Sequence, residues 1–514
     1  MNRLTAAFLA LLAGGVSALA FPSDLSPLLI TTAFCLLFIL LANQSARQGA
    51  WLAFLFAIGH FSIGFSWLLT SLHQFGGIAY PLAVVMLILL AAVMALYPAL
   101  FAALLPTLAA RPALLPLAAP ALWVVCEWLR GHLFTGFAWN LLGYGWNGWE
   151  SVLQVADLGG IYLLSWLMLL PAALLASLWL RRPTVARCAA ELATLALLFL
   201  LLSGYGHWRL AGSASTDQAL TSTIRVAIVQ GNIPQQLKWA ANQQQETLEH
   251  YLKLSLAIPR PIDLVVWPET AMPFFFRAKP DHLQRISQTS REIKAPILTG
   301  APSVDRAGED EPWRYYNSML LLDEHGSLDQ RYDKHHLVPF GEFIPFRQLV
   351  PGTFRKFTEG TEDFSSGPGP VPLPWYKGDL GPLICYEAIF TDEVRTLAAT
   401  GVQWLVNITN DGWFGDSAKP QHLAMVRLRA IENRLPMIRA ANTGISAVFD
   451  AWGRELGRIA AEQTDTLVVT LPAGHGNSFY TRYGGLWLAV WMVLLLIAYG
   501  LSRQRQTESV PQSE

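Results

Sequence analysis

The chain has few cysteines, and their positions exclude two kinds of site. Four are present among 514 residues, and they are widely separated: Cys35, Cys126, Cys188 and Cys385. This spacing offers neither a disulfide framework nor a zinc-binding pattern. The adjacent histidines His335 and His336 do not suggest a metal site either, because neighbouring side chains on an extended segment point in opposite directions. We therefore expect no metal centre.

Charged residues are also scarce. The net charge is −1 at pH 7 and no basic stripe with interleaved aromatic residues is present, so the composition gives no reason to expect a nucleic-acid partner. Charged residues make up 14% of the chain, whereas hydrophobic residues make up 53%. So apolar a balance is typical of a membrane protein with a soluble part attached.

Long uncharged runs form the predicted membrane part. A helix needs about 20 apolar residues to cross the hydrocarbon core of a bilayer, and most of the runs meet or approach that length. They occupy residues 4–21, 25–42, 49–72, 77–110, 113–126, 158–180, 192–206 and 484–501. The first run resembles a signal peptide, but six further spans follow it directly, so we expect it to be retained. The predicted division is seven spans in 1–210, an outer domain in 211–483, a last helix in 484–502 and a cytoplasmic tail in 503–514.

The distribution of arginine predicts the orientation. Eight spans place both termini on the same side, and cytoplasmic loops carry an excess of Lys and Arg. The arginines that fall on one face are Arg3, Arg47, Arg111, Arg181, Arg182, Arg187, Arg503 and Arg505. We therefore expect cytoplasmic termini, with 211–483 outside, in the periplasm of a cell that has two membranes. Loop 129–156 on the outer side is rich in Trp, Phe and Gly, which predicts either an interfacial aromatic belt or a lipid-facing vestibule.

The sequence pattern of the outer domain is different, because short apolar segments alternate with amphipathic ones. The predicted strands are 223–232, 263–270, 295–303, 318–326, 381–387, 402–411, 443–453 and 465–472. The predicted helices are 241–258, 281–293, 391–400 and 420–433. Continuous apolar strands between helices indicate a sheet that is covered by helices. The predicted fold class is α/β, joined to a helical membrane bundle.

Three residues of this domain together could perform one reaction. Glu269 and Cys385 each follow an apolar strand, and open α/β sheets place their sites at the carboxyl ends of strands. A cysteine needs a base or a nearby cation, because the thiolate is the nucleophile. Glu269 could take the proton, and Lys334 could stabilise an oxyanion. Each residue alone also has an ordinary explanation: a buried small hydrophobe for Cys385, a helix cap for Glu269 and a solvated surface lysine for Lys334.

The sequences around these residues carry a resemblance to a known family. WPETAMP around Glu269, YDKHHLVPFGE around Lys334 and ICYEAIF around Cys385 resemble, in this order, the three signatures of the nitrilase (carbon–nitrogen hydrolase) superfamily. A domain of this kind between seven N-terminal spans and one C-terminal span looks like the apolipoprotein N-acyltransferases, and the segments EWLRG…FTGFAW and QGNIPQQLKW also match that family. The resemblance implies a nitrilase-like α-β-β-α sandwich inserted in an eight-helix transmembrane bundle.

The resemblance also implies roles for individual residues. Glu269 would be the base, Lys334 the electrostatic partner and Cys385 the acylated nucleophile. Supporting or substrate-binding roles would fall to Glu342, Tyr386, Glu387 and Trp239. No metal or organic cofactor would be required.

The implied reaction is a ping-pong acyl transfer at the last step of lipoprotein maturation. The donor would be the sn-1 chain of a phospholipid, which we expect to be phosphatidylethanolamine. The acceptor would be the N-terminal amine of a diacylglyceryl-cysteine on an apolipoprotein. A membrane-tethered nitrilase-type amidase would use the same three residues to hydrolyse a small amide, with water as acceptor, and a non-catalytic receptor would keep the scaffold alone. Eight spans and an aromatic outer loop favour the lipid donor.

Overall fold

The computed structural model describes residues 2–21, 23–219, 222–238, 242–306, 310–349 and 363–508. It divides into two compact units. The helical unit comprises Met1–Leu69, Ala79–Ala211 and Tyr483–Glu514, and the sheet unit comprises Thr70–Ile78 and Gly212–Arg482.

Apolar helices occupy all eight predicted runs. Four are long and apolar enough to cross a membrane: Tyr80–Leu108, Pro112–His132, Ala156–Arg181 and Val185–Gly212. A fifth candidate is a bent pair, Ala46–Gly64 with Leu68–Phe75. The remaining three helices are shorter: Arg3–Leu19, Ser26–Leu41 and Leu486–Ala498. Four spans are therefore found by length and composition, and the complete eight-helix bundle stays a prediction.

Glycines let two of these helices approach closely. A methyl group added at Gly14 would lie 1.8 Å from the carbonyl oxygen of Phe56, and one at Gly59 would lie 2.2 Å from that of Leu11. The helices Arg3–Leu19 and Ala46–Gly64 therefore pack backbone against backbone. Small residues at such a crossing are the usual means of packing helices in lipid.

Loop 129–156 is folded into the helical unit along much of its length. The Arg130 guanidinium donates hydrogen bonds to the carbonyl oxygens of Phe137 and Trp139, at 2.8 and 2.7 Å. The Trp139 side chain is fully buried, and Trp146 is nearly so. The exposed aromatic side chains of the loop include Phe134, of which 90% is exposed. Packing inside the unit thus occupies several of the aromatic residues that the sequence predicts for a belt or vestibule.

The sheet unit contains two sheets, and eleven strands lie within its described residues. The first sheet has the order β11-β1-β2-β3-β4-β5. Its strands are β1 (Thr223–Gln230), β2 (Leu264–Val266), β3 (Ile297–Asp305), β4 (Arg314–Leu322), β5 (Leu328–Asp333) and β11 (Asp465–Pro472). The second has the order β10-β9-β8-β7-β6. Its strands are β6 (Leu380–Ile384), β7 (Trp404–Thr409), β8 (Met437–Ala441), β9 (Ser446–Phe449) and β10 (Glu455–Ile459).

Alternation of side chains along the strands produces four layers. In β1, Val226 and Ile228 enter the core between the two sheets, whereas Ala227 and Val229 face the opposite way. That outer face is covered by the helices Gln244–Leu256 and Pro280–Ile293. The outer face of the second sheet is covered by Thr391–Ala398 and Ala418–Asn433. The result is an α-β-β-α sandwich, as the sequence resemblance implies.

The predicted elements agree with this fold except at three strands. All four predicted helices are present, with ends that differ by at most a few residues. The sequence pattern misses β5, β8 and β10. The half-exposed β5 and mostly exposed β10 lie at sheet edges and carry several charged residues. The fully buried β8 contains Arg439, which interrupts the apolar pattern expected of a buried strand.

Candidate active site

Cys385 occupies a strained position at the end of β6. The strand ends at Ile384, and a short 3-10 helix, Cys385–Ile389, begins at once. The backbone of Cys385 has a φ of 51°, in the left-handed region that a residue with a side chain rarely adopts. Such strain is concentrated at functional sites, where it fixes the direction of a side chain. Only 6% of Cys385 is exposed.

Glu269 lies beyond the end of β2, and both of its carboxylate oxygens are held. Oε1 accepts a hydrogen bond from Nδ2 of Asn317 at 2.7 Å. Oε2 accepts one from the backbone N–H of Asn410 at 2.8 Å. The Lys334 Nζ lies 3.8 Å from Oε1. Two donors thus fix the carboxylate in one orientation, with the Lys334 ammonium group beside it.

Lys334 directly follows β5, and only 1% of it is exposed. Its Nζ donates a hydrogen bond to Oε1 of Glu342 at 2.9 Å. Burial alone would lower the pKa of Lys334, but Glu342 and Glu269 beside it hold the pKa well above its usual value. Lys334 is therefore a permanent cation at neutral pH.

The same charges also affect the pKa of the Cys385 thiol. Burial, and then the negative charge of Glu269, raise the pKa of Cys385 well above its usual value, whereas Lys334 opposes the rise. The resting Cys385 is therefore a neutral thiol. Since only the thiolate is strongly nucleophilic, a reaction at this sulfur would require a base, and Glu269 is the carboxylate that acts most strongly on the thiol.

Glu387 connects the nucleophile turn with the segment that carries Lys334. Its Oε2 accepts the backbone N–H of Ile384 at 2.7 Å, so that it caps the short helix. Its Oε1 accepts the Tyr332 hydroxyl at 2.9 Å and the backbone N–H of His335 at 2.7 Å. One buried carboxylate therefore fixes both sides of the site.

Of the remaining predicted site residues, Glu342 and Tyr386 lie in the described part of the chain and Trp239 does not. Glu342 lies in the site, and its Oε2 also accepts a hydrogen bond from the backbone N–H of Val338, at 2.8 Å. Tyr386 is buried, and its ring contacts those of Phe390 and His336 edge-on, with centroids 4.9 and 5.8 Å apart. Trp239 lies outside the described residues, so its predicted role stays a prediction. Within the described chain, no group of three His, Cys, Asp or Glu side chains could hold a metal ion.

The comparisons with known proteins identify the family. Residues 225–478 match the family model described as carbon-nitrogen hydrolase, and residues 13–174 match that of the apolipoprotein N-acyltransferase N-terminal domain. An apolipoprotein N-acyltransferase from Geobacter metallireducens is 36% identical over 508 residues, which cover 96% of this chain and 95% of that protein. The chain belongs to the apolipoprotein N-acyltransferase family. The family's enzyme from Vibrio vulnificus is 33% identical over 527 residues, covering 99% of each chain.

A solved structure is similar at a lower level. A carbon-nitrogen hydrolase from Helicobacter pylori is 17% identical, with 51% of this chain and 94% of that chain covered and a TM-score of 0.39. The nitrilase-like fold of this apolipoprotein N-acyltransferase family member rests on the family match and on the sandwich itself.

Two site residues of this family member are missing from the sequence prediction. Nδ2 of Asn317 also donates to Oε1 of Glu342, at 2.9 Å, so that it bridges the two carboxylates. The signal for Asn317 is a lone amide just before the apolar second half of β4. Nζ of Lys238 donates to the backbone carbonyl oxygen of Glu269 at 3.0 Å. Lys238 stands in QGNIPQQLKW, but nothing in that segment alone distinguishes it from a surface lysine.

Proposed function

We propose that the protein transfers an acyl chain from a phospholipid to the N-terminal amine of S-diacylglyceryl-cysteine on apolipoproteins, through a thioester on Cys385. Relatives that share nearly the whole chain are named for apolipoprotein N-acylation. The observation that supports the mechanism is that Glu269 and Lys334, which lie 3.8 Å apart, both act electrostatically on the buried thiol of Cys385.

The first half-reaction forms the thioester. Glu269 takes the thiol proton of Cys385, and the thiolate attacks the ester carbonyl of the phospholipid. Lys334 stabilises the oxyanion of the tetrahedral intermediate, a contribution typically worth about 10²–10³ in rate. The intermediate collapses, Glu269 returns its proton to the departing alcohol, and a lysophospholipid leaves.

The second half-reaction forms the amide. The α-amine of the apolipoprotein's lipidated cysteine attacks the thioester carbon, a C–N bond forms and the C–S bond breaks. Glu269 takes the proton that the nitrogen loses and passes it to the Cys385 sulfur, which regenerates the resting thiol. These steps require no metal or organic cofactor.

The donor and the supporting residues complete the proposal. The donor is a membrane lipid, which we propose to be phosphatidylethanolamine cleaved at its sn-1 ester. Glu342 holds Lys334, Glu387 holds the nucleophile turn, and Tyr386 and Trp239 contact the substrates. The contacts of Glu342 and Glu387 support the first two roles.

A membrane arrangement follows from lipid-anchored substrates. We propose eight spans, seven within 1–210 and one at 484–502, with a catalytic domain at 211–483 and a tail at 503–514. The domain would face the periplasm of an inner membrane, and both termini would be cytoplasmic. Four long apolar helices and four bent or shorter ones support this arrangement, as does the arginine distribution.

An acyl-transfer assay with the full-length protein in phospholipid vesicles tests the proposal. The vesicles contain phosphatidylethanolamine with a labelled sn-1 chain, and a diacylglyceryl-cysteinyl peptide is added. The label should appear on the peptide's amine with the wild type, but not with Cys385→Ala or with an N-acetylated peptide. Release of labelled fatty acid at a rate independent of the peptide would contradict the proposal, because water would then be the acceptor.

A further inference from the structure

The proposed base and the proposed nucleophile belong to different sheets. Glu269 lies beyond the end of β2 in the first sheet, and Cys385 directly follows β6 in the second. The interface between the sheets is a core of buried apolar side chains, which includes Val266 of β2 and Ile384 of β6. Apolar burial is non-directional, so it joins the sheets without fixing the distance between two polar side chains at their edge. Directional contacts are needed to fix that distance.

A hydrogen bond from the second sheet reaches the base itself. Strands β6 and β7 pair in parallel up to the pair Ile384–Ile408. Cys385 and Asn410 therefore follow on neighbouring strand ends of the same sheet. The backbone N–H of Asn410 donates to Oε2 of Glu269 at 2.8 Å. The position of Asn410 thus determines where the Glu269 carboxylate lies relative to the strand end that carries Cys385.

The side chain of Asn410 is held by amides from both sheets. Its Nδ2 donates to Oε1 of Gln235, which lies in the short helix after β1, at 2.7 Å. Its Oδ1 accepts a hydrogen bond from Nδ2 of Asn442, which directly follows β8, at 3.3 Å. All three side chains are buried. The three amides therefore form a continuous chain across the strand ends of both sheets.

Asn442 also joins the two sheets directly. Its Nδ2 donates to the backbone carbonyl oxygen of Ile233 at 2.8 Å, and its Oδ1 accepts the backbone N–H of Ile233 at 3.0 Å. Its own backbone N–H donates to the carbonyl oxygen of Thr409 at 3.2 Å. The side chain thus binds the segment after β1, while the backbone is fixed to the end of β7. An amide suits this role because it supplies a donor and an acceptor together.

We propose that Asn442 is a positioning residue for the acyl transfer, which sets Glu269 relative to Cys385 by locking the strand ends of the two sheets together. The inference rests on the proposed function, because it takes Glu269 as the base. Asn442 acts through Asn410, whose backbone N–H is the donor to the carboxylate. A displacement of about 1 Å in a reacting group can cost about a hundredfold in rate, so a lock of this kind has a measurable effect.

Alkylation of Cys385 by iodoacetamide measures the action of the base without a lipid. The sulfur binds the methylene carbon, iodide leaves, and the thiol proton passes to Glu269 and then to solvent. The full-length protein is used with alanine in place of the other three cysteines, and intact mass follows the adduct. Asn442→Ala should slow alkylation between about tenfold and a hundredfold relative to this background. An unchanged rate would overturn the inference.

A double-mutant cycle with Glu269→Gln separates positioning from a merely structural role. If Asn442 acts through the base, Asn442→Ala should have no further effect, to within about twofold, once the carboxylate is absent. If the loss of Asn442 instead distorts the site or blocks access to Cys385, the rate should fall equally with and without Glu269. Equal losses in the two backgrounds would therefore overturn the inference.

Asn433→Ala is the matched control, because Asn433 is also a fully buried asparagine of the sheet unit. It lies at the end of the helix Ala418–Asn433, on the outer face of the second sheet. Its Nδ2 donates to the carbonyl oxygen of Arg429 at 3.0 Å, and its Oδ1 accepts the Thr481 hydroxyl at 3.1 Å. The control loses a comparable set of hydrogen bonds and should keep the alkylation rate to within about twofold.

A second variant keeps the test decisive if Asn442→Ala fails to fold. Gln235→Met has a side chain of similar length, but it removes the oxygen that accepts the Asn410 amide. It should slow alkylation about tenfold, and only while Glu269 is present. A loss that is the same in the Glu269→Gln background would overturn the inference for this variant as well.

Failure of the proposed function would be visible separately. A Glu269→Gln rate of alkylation equal to that of the background would contradict the assignment of Glu269 as the base, and the inference with it. A wild type that forms no thioester with phosphatidylethanolamine would contradict the proposed acyl transfer, whatever the alkylation cycle shows. A wild type that forms the thioester but gives equal losses in the cycle would contradict only the role of Asn442.

Discussion

At the scale of single residues, Asn317 holds the two carboxylates that lie beside Lys334, Glu269 and Glu342. Its amide nitrogen donates to Glu269 at 2.7 Å and to Glu342 at 2.9 Å. Without Asn317, Glu269 and Glu342 would still face Lys334, but each would lose one hydrogen-bond donor. A carboxylate with one donor fewer is a stronger base, but its orientation is less well fixed. Asn317 thus keeps Glu269 in position without adding charge.

Replacement of Asn317 by leucine should slow formation of the thioester. A hydrogen bond to a charged group contributes about 1.5–3 kcal/mol, so the rate should fall between about tenfold and a hundredfold. Single-turnover acylation by a phospholipid measures it. Thr299→Val is a matched control, because Thr299 is fully buried in the adjacent strand β3 and its hydroxyl has no hydrogen-bond partner among the described residues. An Asn317→Leu rate equal to that of the control would contradict this role.

At the scale of elements, polar side chains inside β7 and β8 hold the turn that carries Cys385. Nδ2 of Asn407 in β7 donates to the carbonyl oxygens of Leu383 and Cys385, at 3.2 and 3.4 Å. Arg439 in β8 donates to Oδ1 of Asn407 at 2.5 Å and to Oδ2 of Asp411 at 2.6 Å. Arg439 and Asp411 are both fully buried. The buried Arg439–Asp411 ion pair therefore holds the Asn407 amide, which in turn holds the backbone of Cys385.

Loss of one partner of this ion pair should destabilise the sheet unit. In Asp411→Asn the Arg439 charge is left buried without a counter-charge, which typically costs about 3–5 kcal/mol. The midpoint of urea unfolding of the full-length protein should fall accordingly. The double variant Asp411→Leu with Arg439→Met should recover part of that stability, because it removes both charges. A double variant less stable than Asp411→Asn would contradict the argument.

The same ion pair predicts a pH dependence. Burial would raise the pKa of Asp411, but Arg439 and His422 hold it well below its usual range. A lowered pKa contributes stability that is complete above the unfolded-state value and is lost as the pH falls toward the folded-state value. The difference in unfolding free energy between wild type and Asp411→Asn should therefore be constant near neutrality and shrink below about pH 4. A difference that stays constant into acid would exclude this origin.

Sequence patterns predicted some of these elements and missed others. Apolar strands such as β7 and amphipathic helices were predictable, because burial alone determines their patterns. The strand β8 was not, since Arg439 is stabilised by partners that only the folded chain brings together. Glu269, Lys334 and Cys385 were found through their local motifs. Asn317 and Lys238 were not, because their importance lies in contacts with residues 25 or more positions away in the chain.

At the scale of the whole molecule, the proposed reaction predicts that the sheet unit lies on the outer side of the membrane. Single cysteines in a background without the four native ones test this orientation. Asp329→Cys in β5 and Thr184→Cys before the helix Val185–Ala219 both place the thiol at an exposed position. A membrane-impermeant maleimide applied to intact spheroplasts should label Asp329→Cys, and should label Thr184→Cys only after lysis. The reverse pattern would contradict the proposed topology.

The central claim is that the acyl chain resides on Cys385 between donor and acceptor. Intact-mass spectrometry of the full-length protein after incubation with phosphatidylethanolamine tests it most directly. The wild type should gain the mass of one acyl chain, and hydroxylamine should remove it, whereas Cys385→Ala should gain nothing. A wild type that transfers acyl chains to the peptide without ever carrying one, or a Cys385→Ala variant with the same adduct, would contradict the account.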